Sequence, residues 1–266
     1  MSACLNGLYC IHLELTSRCN KNCWMCGRRK IDREYPEIAM NYGDMDFELV
    51  RKIAEQLPEG IVVQFHNNGE PLLYPRFGEA VGLFKDQIKC VDTNAKLIVE
   101  KAEEIIDNLD TITISVIESD PDGDEQYELV KKFLDIKGKK RPNMIYRCLG
   151  DVDTEKWRKL DGIIATRILH NPLGSFKYKK SPTVPEIGIC LEILNHMAIN
   201  RFGKVSICVR FDPKRLGVIG DANTTPLIDI WNSPKRKEWI KHHVEGNRHK
   251  IPLCSYCDFW GVPTGI

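Results

Sequence analysis

Three cysteines fall within eight consecutive residues near the start of the chain, with the spacing C-x3-C-x2-C. Cys19, Cys23 and Cys26 directly follow the alternating run Ile11-His-Leu-Glu-Leu-Thr16. Three thiolates cannot complete a tetrahedral zinc site, so a zinc knuckle here would need a distant fourth ligand. Three thiolates can hold three irons of a [4Fe–4S] cube, which four cysteines otherwise hold, and leave the fourth iron open. An open iron can bind and reduce a cofactor.

Four more cysteines form a second group in the C-terminal part of the chain: Cys190, Cys208, Cys254 and Cys257. Four thiolates can ligate every iron of a second cube, and zinc in the same four ligands is the alternative. The other cysteines are scattered, and we expect them to be small buried apolar residues: Cys4, Cys10, Cys90 and Cys148. Disulfides need an oxidising compartment, and the N-terminus shows no basic segment followed by an apolar one. We therefore predict a cytoplasmic protein.

The composition limits the partners of the protein. The 266 residues carry a net charge of +1, so the sequence has no electrostatic footprint for nucleic acid or for an anionic membrane. No apolar run approaches the roughly 18 to 20 residues that span a bilayer. We therefore predict that the protein binds neither nucleic acid nor a membrane.

Hydrophobic periodicity places strands and helices in alternation over the first two thirds of the chain. The predicted strands are Ile11–Thr16, Ile61–His66, Ile88–Thr93, Thr111–Ile117, Asn143–Leu149 and Ile163–Leu169. The predicted helices are Phe47–Leu57, Arg76–Lys85, Lys96–Asn108, Asp124–Lys137 and Thr154–Leu160, with residues 27–46 as a long loop. Such alternation implies a parallel sheet with right-handed crossovers. When such a sheet curves into a barrel, the chemistry sits at the C-terminal ends of the strands. The cysteine loop follows strand one at that end.

The cysteine loop and a turn after strand two, Asn68-Gly-Glu-Pro71, resemble the radical S-adenosylmethionine (SAM) superfamily. The family has Gly-Gly-Glu-Pro at this place, so Asn68 is a departure. The resemblance implies an α/β fold with a partial (β/α)6 barrel over residues 1–180. It also implies that a cluster on the three cysteines cleaves SAM to a 5′-deoxyadenosyl radical.

The resemblance further implies a set of residues that contact SAM: Met25, Gly69, Glu70, Asn94, Ser115 and Arg147. Glu70 would hold the amino group, Ser115 the ribose and Arg147 the carboxylate. Met25 stands where relatives have an aromatic residue beside adenine, and Ala95 replaces the glycine of Thr-Asn-Gly. A plain turn around Glu70 and an ordinary strand serine at Ser115 are the simpler alternatives.

Arg147 lies inside an apolar predicted strand, where a buried guanidinium needs an anionic partner. Side chains alternate along a strand, so if Arg147 faces the cavity, Cys148 faces the helices and is not a hydrogen-atom donor. Arg167 and His170, at the end of strand six, are our candidates for contact with substrate. A surface arginine and a capping histidine are the alternatives for these two residues.

The second cysteine group resembles the twitch domain, which is the short form of the SPASM extension and binds one auxiliary [4Fe–4S] cluster. The segments Gly217-Val-Ile-Gly-Asp221 and Leu227-Ile-Asp-Ile-Trp-Asn232 carry the same resemblance. It implies a small α+β domain over residues 181–266. Within it we predict a hairpin that turns at Arg201–Lys204 and a helix capped by Ser233.

The plan of radical SAM core plus twitch domain covers almost the whole chain and is similar to that of family members that oxidise a cyclitol. We therefore predict an oxidoreductase with two [4Fe–4S] clusters, SAM and an external electron donor such as flavodoxin or ferredoxin. Its substrate would be a small polar molecule, a sugar or cyclitol alcohol, with the auxiliary cluster as electron acceptor. Peptide modification and epimerisation are alternatives, although only eighteen residues precede Cys19. A non-catalytic iron–sulfur or zinc-binding module is a further alternative.

Overall fold

Runs of β-branched and aromatic residues favour extended backbone, and in the described part of this chain they form nine strands of a single sheet. The computed structural model describes residues 5–169, 189–209 and 212–257. The strands are β1 (Cys10–Leu13), β2 (Val62–Phe65), β3 (Ile88–Thr93), β4 (Thr111–Ile117), β5 (Asn143–Leu149), β6 (Ile163–Arg167), β7 (His196–Ile199), β8 (Lys204–Ser206) and β9 (Val218–Asp221). Their order across the sheet is β6-β5-β4-β3-β2-β1-β7-β8-β9.

Within the described ranges the α-helices are α1 (Arg28–Glu34), α2 (Pro36–Ala39), α3 (Phe47–Ala54), α4 (Phe77–Gly82), α5 (Ala102–Ile105), α6 (Gly123–Lys137), α7 (Leu191–Asn195), α8 (Leu227–Trp231) and α9 (Pro234–Val244). Asp46 caps α3 by accepting hydrogen bonds from the N–H groups of Glu48 and Leu49, at 2.9 and 3.2 Å. Ser233 accepts from the N–H of Arg236, so the cap predicted for α9 is confirmed. None of these helices has the length and apolar composition needed to cross a bilayer.

The first six strands pair in parallel from β1 to β6, which confirms the predicted α/β core. Alternate residues of these strands are buried among the helices, for example Ile11, Val63, Val91, Ile112 and Tyr146. In the described sheet β1 and β6 are not neighbours, so the barrel is open. The opposite, inner face carries polar side chains, which are described below.

The structure differs from the predicted elements in three places. The segment predicted as a loop over residues 27–46 contains two helices, α1 and α2, and Ile31 of α1 is buried. The helix predicted over Lys96–Asn108 shrinks to α5, since Ala95 has a left-handed φ of +65° and the residues after it form turns. The helix predicted over residues 154–160 is a short 3-10 turn anchored by buried Trp157.

The predicted hairpin forms, but it is not separate from the barrel strands. β7 pairs in parallel with β1, with Cys10 opposite His196 and Leu13 opposite Ile199. β8 and β9 then add antiparallel strands at that side of the sheet. The domain boundary predicted near residue 180 lies outside the described residues. The strands after that position therefore extend the sheet of the first region.

Arg236 on α9 is buried and connects the C-terminal helices to α7. Its guanidinium donates to the carbonyl oxygens of Trp231, Ile193 and Leu194, at 3.1, 2.9 and 2.8 Å. It also lies over the Trp231 ring, 3.3 Å from the ring centroid. Burial lowers the pKa of Arg236 to about 10, so the group stays charged at neutral pH. Backbone oxygens and an aromatic face thus stabilise a buried cation.

Replacing Arg236 by Ala should destabilise the protein strongly, because three buried carbonyl oxygens lose their donor. We expect a loss of at least about 3 kcal/mol, since each unpaired buried group costs about 1–3 kcal/mol. Urea unfolding of cluster-loaded protein checks this, with exposed Lys237→Ala on the same helix as the control. Equal midpoints for the two variants would show that the Arg236 contacts do not hold this region together.

Candidate functional site

The loop with the first cysteine group is fastened to the segment after β4. Lys21 forms an ion pair with Asp120, and the indole N–H of Trp24 donates to the carbonyl oxygen of Glu118 at 2.8 Å. The guanidinium of Arg28 donates to the carbonyl oxygen of Ser17 at 2.8 Å, which closes the loop on itself. These contacts hold the cysteine loop at the C-terminal ends of the strands, where chemistry is expected in a barrel of this kind.

The three thiols of this loop suit a shared metal cluster. Cys19, Cys23 and Cys26 are all partly exposed, and each is close enough to another to interact electrostatically. Burial and, to a smaller extent, the neighbouring Cys26 raise the pKa of Cys23 to about 12. Deprotonation therefore requires a cation, and binding of iron would release protons. The side-chain amide of Asn94 approaches Cys19 Sγ at 3.9 Å.

Glu70 is completely enclosed by donors from the protein itself. Its carboxylate accepts hydrogen bonds from the N–H of Leu72 at 3.2 Å, the hydroxyl of Thr93 at 2.7 Å and the N–H of Asn94 at 2.8 Å. Burial raises its pKa to about 7, and the hydrogen bonds from Asn94 and Thr93 partly offset that rise. Glu70 therefore connects the turn after β2 to the end of β3 through hydrogen bonds. Its predicted contact with the amino group of SAM stays a prediction.

Gly69 lies where two backbone segments meet. A Cβ atom at this position would overlap the carbonyl oxygen of Thr16 and lie 2.8 Å from that of Arg18. The N–H of Glu70 donates to the same Arg18 oxygen at 2.8 Å. Glycine therefore lets the Gly-Glu-Pro turn pack directly against the start of the cysteine loop.

Asn94 joins the same junction from β3. Its side-chain amide donates to Oδ1 of Asn20 in the cysteine loop at 2.8 Å, and its carbonyl oxygen accepts from Gln126 at 3.0 Å. Ala95, the next residue, has the left-handed φ that glycine adopts most easily. This conformation explains why the family pattern has glycine here, and it brings Asn94 beside Cys19.

Ser115 and Arg147 are register partners on β4 and β5, so they lie on the same face of the sheet. This is the polar inner face. The guanidinium of Arg147 forms an ion pair with Asp92, with a second contact at 3.2 Å. The anionic partner that a buried arginine needs is thus supplied by the protein. Cys148 is buried on the opposite, helix-packed face, as alternation predicts. Met25 is half-buried in the cysteine loop, and its predicted contact with adenine stays a prediction.

Asp92 is the centre of a polar network on the inner face. It accepts a hydrogen bond from Gln64 at 2.8 Å, and Nδ1 of His66 lies 3.6 Å from its carboxylate. Burial raises the pKa of Asp92, but interaction with His66 and Arg147 outweighs burial and holds the pKa below its usual range. The charge of Arg167 helps to lower the pKa of His66, so Arg167 at the end of β6 lies near this network.

Sequence reasoning missed several inner-face residues that structure brings together, namely His12, Glu14, Gln64, His66 and Asp92. Glu14 is buried, accepts from the side chain of Asn68 at 2.9 Å, and has a pKa that burial raises. A signal was present, because polar residues recur at alternate positions of β1, β2 and β3. Parallel strands buried on both faces normally read as continuous apolar runs, so this alternation indicates a polar cavity. His170, the other predicted substrate contact, lies outside the described residues.

The second cysteine group lies at the opposite ends of the strands from the first group. Cys190 immediately precedes α7, which leads into the start of β7, and Cys208 follows the end of antiparallel β8. Cys254 interacts electrostatically with Cys190 and Cys257, and burial raises its pKa to about 12. Because β7 runs parallel to β1, this group lies near the N-terminal ends of the strands and the first group near the C-terminal ends.

The comparisons with known proteins agree with this division. Residues 13–170 match the radical SAM superfamily, and residues 190–258 match the SPASM iron–sulfur cluster-binding domain. The chain therefore belongs to the radical SAM superfamily. It is an enzyme that binds SAM and iron–sulfur clusters.

Several relatives resemble the chain over most of its length. A protein of Niallia circulans named S-adenosyl-L-methionine-dependent 2-deoxy-scyllo-inosamine dehydrogenase is 28% identical and covers 96% of this chain and 94% of its own. The crystal structure of BtrN in complex with AdoMet and 2-DOIA has a TM-score of 0.62 at 20% identity and covers 93% and 91% of the two chains. SuiB of Streptococcus suis bound to S-adenosylmethionine has a TM-score of 0.62 at 14% identity and covers 95% and 72%. The two structures establish likeness of fold.

Changing Cys19, Cys23 and Cys26 together to Ala should halve the iron content. Two cubes contain about eight irons, so the variant should retain about four on the second group. Iron and acid-labile sulfide are measured after anaerobic reconstitution, with Cys148→Ala as a control that removes a cysteine from the apolar core. Bound zinc with no labile sulfide in the wild type would refute the iron–sulfur assignment of these cysteines.

Replacing Gly69 by Ala should weaken SAM binding by at least about tenfold, or about 1.4 kcal/mol. The added methyl group overlaps backbone oxygens at the base of the cysteine loop, so the turn must move away from it. The dissociation constant for SAM on cluster-loaded protein measures the effect. Gly82→Ala is the matched control, because its Cβ would meet no described atom within 4 Å. Unchanged SAM affinity in Gly69→Ala would show that the turn does not position the cofactor.

Proposed function

We propose that the protein is a SAM-dependent dehydrogenase that oxidises a small polar alcohol, a sugar or cyclitol, to a carbonyl compound. The full-length similarity to the 2-deoxy-scyllo-inosamine dehydrogenase supports an oxidoreductase with a small-molecule substrate. Two [4Fe–4S] clusters and an external donor such as flavodoxin or ferredoxin belong to the proposal. Cytoplasmic location is part of it as well.

The proposal rests on the polar inner face, which lies between one cysteine group at the C-terminal ends of the strands and another at their N-terminal ends. Gln64, His66, Asp92 and Arg147 offer donors and acceptors there that are fixed by one another. A site built to hydrogen-bond hydroxyl groups discriminates strongly against molecules that lack them. Such a face suits a polyhydroxylated substrate better than an apolar one.

Cys19, Cys23 and Cys26 would hold the first cluster, which together with SAM would supply the radical chemistry that removes a hydrogen atom from the carbinol carbon. The substrate must then lose one electron and the hydroxyl proton to become a carbonyl compound. Four cysteines in the second group would leave no open iron for direct substrate binding, so electron acceptance is the simpler role for it. The chain's own contribution is to orient the substrate and exclude water, with Arg167 as a proposed contact.

Anaerobic incubation with SAM, dithionite and a panel of aminocyclitols and sugars tests the proposal. We expect 5′-deoxyadenosine together with a product lighter than its substrate by two hydrogen atoms. A product with unchanged mass would support epimerisation instead. Cleavage of SAM with no change in any polyol, but with modification of a peptide, would favour the peptide-modifying alternative.

Replacing Cys254 and Cys257 by Ala should separate SAM cleavage from product formation. The first cluster stays intact, so 5′-deoxyadenosine should still form, while oxidised product should fall to background because its electron acceptor is lost. Circular dichroism and SAM affinity establish that the variant is folded, since loss of a cluster can unfold a small region. Continued oxidation by a folded variant without the second cluster would exclude it as the electron acceptor.

A further inference from the structure

Metal-ligating side chains outside both cysteine groups meet where β1 and β7 begin. Cys10 of β1 lies opposite His196 of β7, and His12 projects from the same face as Cys10 because it is two residues further on. α7 leads directly into β7 and places Glu192 four residues before His196. β1 thus meets α7 and β7, which are distant from it in sequence, at one place of the inner face.

The donor atoms are close together. One donor atom from each of His12, Glu192 and His196 lies within 4.8 Å of the other two, and we call these residues the His–Glu cluster. Glu192 Oε2 lies 3.0 Å from Nδ1 of His196. The rings of His12 and His196 meet edge to face, with centroids 5.4 Å apart.

His12 has an unused ring nitrogen. Its Nδ1 is buried and finds no hydrogen-bond partner in the described part of the chain. An unpaired buried polar atom costs about 1–3 kcal/mol, and so it calls for a ligand. Its Nε2 lies 3.9 Å from the sulfur of Cys10. Burial lowers the pKa of His12 to about 3, so the imidazole is neutral and keeps a lone pair for a metal.

We propose that the His–Glu cluster binds one divalent transition-metal ion, for which zinc is the probe, through His12, Glu192 and His196. Two imidazoles and one carboxylate form a ligand set that zinc accepts, with one position left for water or a hydroxyl group. Bonds to zinc are about 2.0–2.2 Å long, so its donors lie about 3–4 Å apart. The present limit of 4.8 Å between donor atoms is close to that spacing.

An ordinary contact between residues four apart accounts for Glu192 and His196, but it does not account for His12 arriving from another strand. Glu192 and His196 are also largely shielded, with side chains 16% and 25% exposed. An ion here would join β1, β7 and α7. Those elements connect the radical SAM region to the SPASM region, so the ion would fix the joint between them.

The test measures zinc on the reconstituted enzyme and needs no substrate, so its outcome is independent of the proposed dehydrogenase activity. Cluster-loaded protein is washed with chelator, incubated anaerobically with zinc chloride and desalted, and zinc, iron and labile sulfide are then counted. We expect one zinc per chain with unchanged iron and sulfide. His12→Ala should retain less than about a tenth of that zinc, whereas the control His249→Ala, at an exposed histidine, should retain all of it.

Glu192→Gln provides a second variant that preserves side-chain size in case His12→Ala folds poorly. Its zinc affinity, measured by competition with a chromophoric chelator, should fall at least about tenfold, because even outer-shell partners of metal sites change affinity by about 10–100-fold. Zinc uptake at the expense of iron would overturn the proposal, as would equal uptake by all variants. Absence of zinc uptake by the wild type would overturn it too.

Discussion

Both oxygens of the Glu70 carboxylate accept hydrogen bonds from the protein, and the arrangement of the loops around the first cysteine group depends on these bonds. They join the turn after β2 to the end of β3, while the N–H of Glu70 reaches the cysteine loop through Arg18. Asn94 completes the junction by bonding both Glu70 and Asn20. Three segments that each follow a different strand are thereby held in one arrangement around the thiols.

A buried ionic network such as that of Asp92, Arg147 and His66 contributes little net stability, because desolvation of the charges opposes their attraction. Its presence on the inner face is better explained by orientation of polar groups than by folding. On the helix-packed face the same strands bury mainly apolar side chains, such as Val91 and Ile112. The two faces of one sheet are therefore built for different tasks.

Much of this could be predicted from sequence, because the relevant signals are local. Cysteine spacing predicted two groups of candidate ligands, whose metal binding stays a prediction, and periodicity predicted β3, β4 and β5 with their observed bounds. The contacts of Glu70 could not be predicted, since they depend on how separate loops pack. The His–Glu cluster was equally hidden, because His12 and His196 become neighbours only through the pairing of β1 with β7. The helix predicted over Lys96–Asn108 was too long, because residues 96–101 form turns after the left-handed backbone of Ala95.

The pairing of β1 with β7 also affects the order in which the molecule can assemble. During synthesis β1 emerges first and can pair with β2 soon afterwards, but its other edge has no partner until β7 has been made. An unpaired strand edge is a template for association with other chains, and contacts so distant in sequence form slowly. The edge of β1 that later pairs with β7 therefore stays exposed while the intervening strands are synthesised.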